Sequence, residues 1–199
     1  MPCDEFTYGE RQRLLRIARD SIEYGCEHAK AREHGELIEL ALTDEKFART
    51  RNTFVTLTNA GELRGCIGSL EARIALAMDV AINAFKSGFR DPRFPALSVG
   101  ELDQVTIQIA VLSPQRLIEA NTEADLRSAL IPHVDGLTID DGCHRATFLP
   151  KVWESLPKPH QFLASLKIKA GMRPDYWSED IKAYRYHAEN FSESDEFLH

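Results

Sequence analysis

Nothing in this 199-residue chain approaches the roughly 18–20 consecutive apolar residues that cross a bilayer, so no membrane-spanning helix is expected. Cysteine is scarce. Cys3, Cys26, Cys66 and Cys143 are the full complement, and none forms a C-x-x-C pair, which argues against a zinc ribbon or a thioredoxin-type motif. Their number in a chain of this length does not read as a disulfide framework. No H-x-x-x-H pair occurs among the seven histidines, so a helical zinc site lacks support and no metal is expected. The patterns G-x-x-x-x-G-K-[ST], G-x-G-x-x-G and G-x-S-x-G are also missing, which weakens nucleoside-triphosphate, dinucleotide and hydrolase readings and leaves no cofactor indicated. Basic charge is outnumbered, 24 Lys and Arg against 31 Asp and Glu, for a net charge of −7. A surface of that sign does not attract phosphate backbones generally, which disfavours a nucleic-acid partner. The opening Met-Pro-Cys-Asp-Glu-Phe has neither the basic nor the apolar region of a secretory signal. The expectation is a soluble protein of a reducing, cytoplasmic compartment, with no membrane partner.

What is present is ordinary globular composition, 43% hydrophobic and 28% charged, enough for one domain or two small subdomains sharing a core. Thr7-Tyr8-Gly9-Glu10 reads as a capping box opening a helix over about 8–31, with Leu14, Ile17, Ala18 and Ile22 on one stripe. Phe54–Thr58 and Leu63–Gly68 flank the turn Asn59-Ala60-Gly61-Glu62, a hairpin signal. A second alanine-rich helical stripe runs from Ile74 to about Ser87, and a strand from Gln104 to Leu112 stops at Pro114. A short helix over Thr122–Leu130 precedes a second hairpin around Asp140-Asp141-Gly142. A broken helical segment then runs over 152–169 with Gly171 as its cap. Tyr184, Tyr186 and Phe191 pair or pack, and the acidic residues 193–196 fray. Two hairpins among irregularly alternating helices predict an α+β fold with a mostly antiparallel sheet flanked by helices.

Arg64-Gly65-Cys66-Ile67-Gly68 is the most unusual segment. In an extended chain Arg64 and Cys66 share one face, and Leu63 and Ile67 the other, which enters the core. A cation beside a thiol favours the thiolate. Gly65 and Gly68 leave room for a ligand or another strand, and the following helix could direct its positive end at an anion. A buried structural cysteine is the competing reading. His133 and Asp135 would share a face if extended, the carboxylate orienting the imidazole as a base; a loop histidine beside a turn aspartate is the plainer reading. Cys143-His144 fits a turn better than a metal site. Arg93 suits a carboxylate or phosphate ligand, or is simply solvated. Lys158, Lys167, Lys169 and Arg173 make either an anion-binding rim or a solvated helix face, the second being preferred.

The hexapeptide Leu63–Gly68 resembles the signature of the AMMECR-type domain family, also called AmmeMemoRadiSam system protein A. Asp91-Pro92-Arg93-Phe94, Ser113-Pro114, Ala146–Pro150 and Leu166–Gly171 match further family blocks in order. The resemblance covers about 8–187, leaving 188–199 as an acidic tail. It implies one α+β unit of two intertwined subdomains, the larger drawing on both chain ends around an antiparallel sheet, with the hexapeptide at their junction. It also implies association with a Memo-type protein and a radical S-adenosylmethionine enzyme. Two departures occur: two residues separate His133 from Gly136 where many relatives carry an I-G-x-H-G-type sequence, and Lys151 stands where some relatives have Gln. The functional expectation is an enzyme or catalytic accessory handling a small polar or anionic ligand. Cys66 would be nucleophile or covalent acceptor, with Arg64, Gly65, Gly68 and Arg93 binding and His133 or Lys169 moving protons. A non-catalytic scaffold for the same partners is the alternative.

Overall fold

A computed structural model describes residues 5–31, 44–69 and 73–198. Cys3 and Gly35, the latter expected just past the end of the first helix, lie outside the described residues.

Helix α1 (Tyr8–His28) begins at the capping box: the Thr7 hydroxyl accepts the Glu10 amide, and the Glu10 carboxylate accepts the Thr7 amide. It stops earlier than residue 31 because Ala29 turns left-handed, with φ 54°. The single turn α2 (Glu45–Ala48) leads into β1 (Asn52–Asn59) and β2 (Glu62–Gly68). Between these strands Ala60 and Gly61 both have positive φ, which matches a tight two-residue turn to the twist of its hairpin. Helix α3 (Leu76–Phe89), a 3-10 turn (Val99–Gln104) and β3 (Val105–Leu112) follow. Then come β4 (Arg116–Ile118), α4 (Glu123–Ala129) behind its Thr122 cap, β5 (Gly136–Asp140) and β6 (Arg145–Phe148). The expected broken helix is a 3-10 turn (Pro150–Glu154) and α5 (Pro159–Lys169), and Gly171 takes φ 84° just beyond. Strands β7 (Lys182–Tyr186) and β8 (Ala188–Ser192) close the chain.

The strands form two four-stranded antiparallel sheets, ordered β2-β1-β3-β8 and β4-β7-β5-β6, so the fold is α+β. Each sheet belongs to its own compact unit: residues up to Leu112 with those from Glu189 onward, and Ser113–Ala188. In the first unit α1 and α3 cover one sheet face, where Leu14, Ile22, Leu57, Leu76, Val80, Ile107 and Ile109 are sealed from water. Each such side chain stabilises the fold by about 1.5–3 kcal/mol. The other face, carrying Phe54, Thr56, Gln108 and Ala110, is half-buried. Expected to fray, Glu193 instead bonds Arg19 at both carboxylate oxygens and accepts the Ile107 amide at 2.8 Å. In the second unit Trp153 and Phe162 stack at 3.8 Å over a core of Leu126, Leu137, Ile139, Leu163 and Leu166. No helix among the described residues is long and apolar enough to cross a membrane.

Candidate functional site

Strand β2 is an edge strand, and its regular alternation breaks within the motif. Leu57 pairs with Gly65 and Thr58 with Leu63, so Arg64 is the extra residue of a β-bulge. The bulge explains why Leu63 is exposed rather than in the core, against the simple period-two expectation. It also sends the Arg64 guanidinium to Glu101, with Nε to Oε1 at 2.7 Å. That partner, helped by the Ser98 amide, lowers the Glu101 carboxyl to about 2.

Beyond the bulge Cys66 lies opposite Thr56 on the half-buried sheet face. Its sulfur is not sealed in hydrocarbon, and the Thr56 hydroxyl approaches Sγ at 3.3 Å. The edge position leaves the Cys66 peptide without a strand partner, and a side-chain pair takes that place. Asp91 Oδ2 accepts the Cys66 amide at 2.9 Å, and Arg93 donates to the Cys66 carbonyl at 3.2 Å. The Arg93 guanidinium donates to Asp91 twice, at 2.9 and 2.6 Å, and the Arg93 amide donates once, at 3.1 Å. The Arg93 guanidinium holds the Asp91 carboxyl well below the usual carboxylate range, with the Cys66 and Arg93 amides acting in the same direction. Asp91 thereby raises the already high pKa of Arg93, whose side chain stays 54% exposed.

The next residue is held from α3. The Ile67 amide donates to Ser87 Oγ, and the Ser87 hydroxyl donates to the Val55 carbonyl, so one hydroxyl is inserted into the β1–β2 ladder. Gly65 permits this approach, because a Cβ there would stand 2.1 Å from the Ser87 carbonyl oxygen. At Gly68 a Cβ would meet the Phe54 ring at 2.3 Å, so the room left by this glycine is filled by that ring. One and two helical turns back, Asn83 and Asp79 continue the stripe. Asp79 accepts from the Thr53 amide and hydroxyl and from Ser69, and Asn83 donates to the Thr53 carbonyl. Burial pushes the Asp79 carboxyl up despite these donors.

His133 and Lys169 belong to the second unit. His133 is exposed in a left-handed turn, φ 64°, not in the extended chain that would align it with Asp135. Lys169 donates to the Thr147 carbonyl at 3.0 Å and lies over the Phe148 ring. Lys167, expected on a solvated face, is instead buried and bonded to Glu123 at 2.6 Å and to the Pro174 carbonyl. Cys143 and His144 sit in the second hairpin turn, their amides held by Asp141. Among the described residues no group of three or more His, Cys, Asp or Glu is placed to hold a metal ion.

Sequence reading missed the clamp around Cys66. The i, i+4, i+8 spacing of Asp79, Asn83 and Ser87 on an alanine-rich helix was its visible signal. Asp91 before Pro92 fits a turn or a helix start in the sequence, and Ser98-x-x-Glu101 fits a capping box, which the structure contains; neither pattern points to Cys66 or Arg64. The AMMECR1 family model matches residues 15–191. The chain belongs to the AMMECR1 family. A relative in Methanothermobacter thermautotrophicus is 34% identical over 92% of this chain and 94% of its own length. Protein MJ0810 of Methanocaldococcus jannaschii is 34% identical over 80% and 81%. The crystal structure of the uncharacterised protein PH0010 from Pyrococcus horikoshii superposes with a TM-score of 0.78 at 31% identity, covering 91% of this chain and 90% of that one.

Proposed function

We propose that this AMMECR1-family chain acts through Cys66, as an enzyme or catalytic accessory whose thiol is nucleophile or covalent acceptor toward a small polar or anionic group. The observation that carries the reading is the Asp91–Arg93 pair, which grips both the amide and the carbonyl of Cys66 on an otherwise unpaired edge. By holding both main-chain groups, the pair fixes where the Cys66 thiol stands on the sheet face. The Thr56 hydroxyl at Sγ supplies a donor to a thiolate, and the half-exposed Arg93 guanidinium suits a carboxylate or phosphate on the ligand. Arg64, engaged by Glu101, anchors the bulge. The family resemblance supplies the proposed partners, a Memo-type protein and a radical S-adenosylmethionine enzyme.

Alkylation of the native chain by iodoacetamide, followed site by site with mass spectrometry, tests the thiol. Cys66 is expected to react faster than Cys26 and Cys143. Modification of Cys66 as slow as that of Cys26, whose thiol burial and the nearby Glu101 push up, removes the nucleophile role. A second reading, a non-catalytic scaffold for the same partners, is favoured by the neutral Thr56 hydroxyl as the hydrogen-bond donor to the sulfur. On that reading Cys66→Ser and Cys66→Ala both preserve partner binding and the activity of the assembled system.

A further inference from the structure

One buried acid in the second unit has no role in the Cys66 site. Asp135 is fully buried, and its backbone is fixed at both ends: its amide donates to the Ile131 carbonyl, and its carbonyl accepts Trp153 Nε1 at 2.7 Å. Of its carboxylate oxygens, Oδ2 accepts the Ile131 amide at 2.8 Å and lies 3.5 Å from the Arg185 guanidinium. Oδ1 is buried and makes no hydrogen bond among the described residues. It faces His187 Nε2 at 3.5 Å, an approach without hydrogen-bond geometry. An orphaned buried carboxylate oxygen is costly, so one in a native fold calls for an explanation, of which a catalytic role is one.

The ladder explains the juxtaposition. Gly136 pairs with Tyr186 at the end of β5 and β7, so Asp135 and His187 are the next cross-strand neighbours. Gly136 is required there, since a Cβ would enter the Tyr186 ring at 2.4 Å. The His187 backbone is pinned by Ser113, whose amide donates to the His187 carbonyl and whose hydroxyl accepts the His187 amide, each at 2.9 Å. The imidazole itself remains 46% exposed. A pinned backbone, a buried carboxylate facing one ring nitrogen at 3.5 Å and an open ring are the parts of an oriented base.

We propose that His187 and Asp135 form a proton-accepting dyad for a hydroxyl-bearing ligand or a water molecule, with His187 Nδ1 as acceptor and Asp135 as positioning residue. When the proton transfers, the ligand's O–H bond breaks, its electron pair stays on oxygen, and a new N–H bond forms at Nδ1. The imidazolium charge then lies against Asp135 Oδ1. Arg185 is the charged neighbour that opposes this gain, and it acts on the other carboxylate oxygen. The proposal is independent of Cys66.

Acylation of the full chain by diethyl pyrocarbonate, read at each histidine by mass spectrometry, tests it. His187 is expected to react several-fold faster than His133, which is also exposed in the same molecule. Asp135→Asn, which keeps an acceptor for the Ile131 amide, is expected to slow His187 to the rate of His133 while leaving His133 unchanged. A His187 no faster than His133 in the wild-type chain overturns the dyad, whatever the variant's stability. So does an undiminished His187 rate in folded Asp135→Asn protein.

Discussion

At the scale of single residues, the geometry around Cys66 depends on a few polar atoms in places water does not reach. Ser87→Ala leaves the Ile67 amide and the Val55 carbonyl without the hydroxyl that bridges them. The expected loss is about 1–3 kcal/mol, read as a lower urea midpoint. Gly65→Ala is expected to cost at least as much, because the atom in its way is the Ser87 main-chain oxygen rather than a movable side chain. The acid behaviour of the Arg64–Glu101 pair follows from its sign. Glu101 is lowered from an ordinary value of 4.5 to about 2. Its contribution is therefore fully present above the unfolded value and is lost as pH falls through the folded one. Replacing Arg64 by Met should lower stability at neutral pH, with the deficit shrinking as the pH approaches 2, measured by urea unfolding at each pH.

At the scale of elements, α3 carries two different surfaces on one helix. Its alanines bring the backbone close to β1 and β2, and Asp79, Asn83 and Ser87 fasten those strands to it. Burial raises Asp79, so its titration runs opposite to that of Glu101. Stability is greatest while the group is protonated and declines as pH rises through its folded value. Asp79→Asn removes that decline; relative to wild type the variant should fare better at pH 7 than near pH 3, again by urea midpoints. The β-bulge shows how an element can override a pattern. Period-two reading puts Leu63 inside, yet one additional residue in β2 resets the alternation, so Leu63 is exposed while Gly65 faces α3.

At the scale of the whole molecule, the first unit is completed by the far end of the chain. Strand β8 joins the edge of β3, Phe191 enters the core, Glu189 bonds Arg11, and Glu193 bonds Arg19. Deleting residues 189–199 removes all of these. Loss of Phe191 alone corresponds to about 3–5 kcal/mol. The truncated chain is expected to lose cooperative folding of the first unit, seen as reduced far-ultraviolet circular dichroism. Both tryptophans, Trp153 and Trp177, belong to the second unit, so their fluorescence reports that unit separately in the same experiment.

Local chemistry was sufficient for much of this protein. The Thr7 capping box, the Asn59–Glu62 turn, the Thr122 cap and the Gly171 stop were legible because each is decided by residues a few positions apart. The ordered motif blocks were enough to indicate the family. Tertiary structure alone decided which polar atoms meet. Glu101 for Arg64, Asp91 and Ser87 for the Cys66 strand, and His187 rather than His133 for Asp135 are partners far apart in sequence or separated by a turn. Their pairing depends on a bulge, a helix register and the end of a ladder. Burial then fixes their energies, because a hydrogen bond or charge that is nearly neutral in water becomes decisive where no solvent competes.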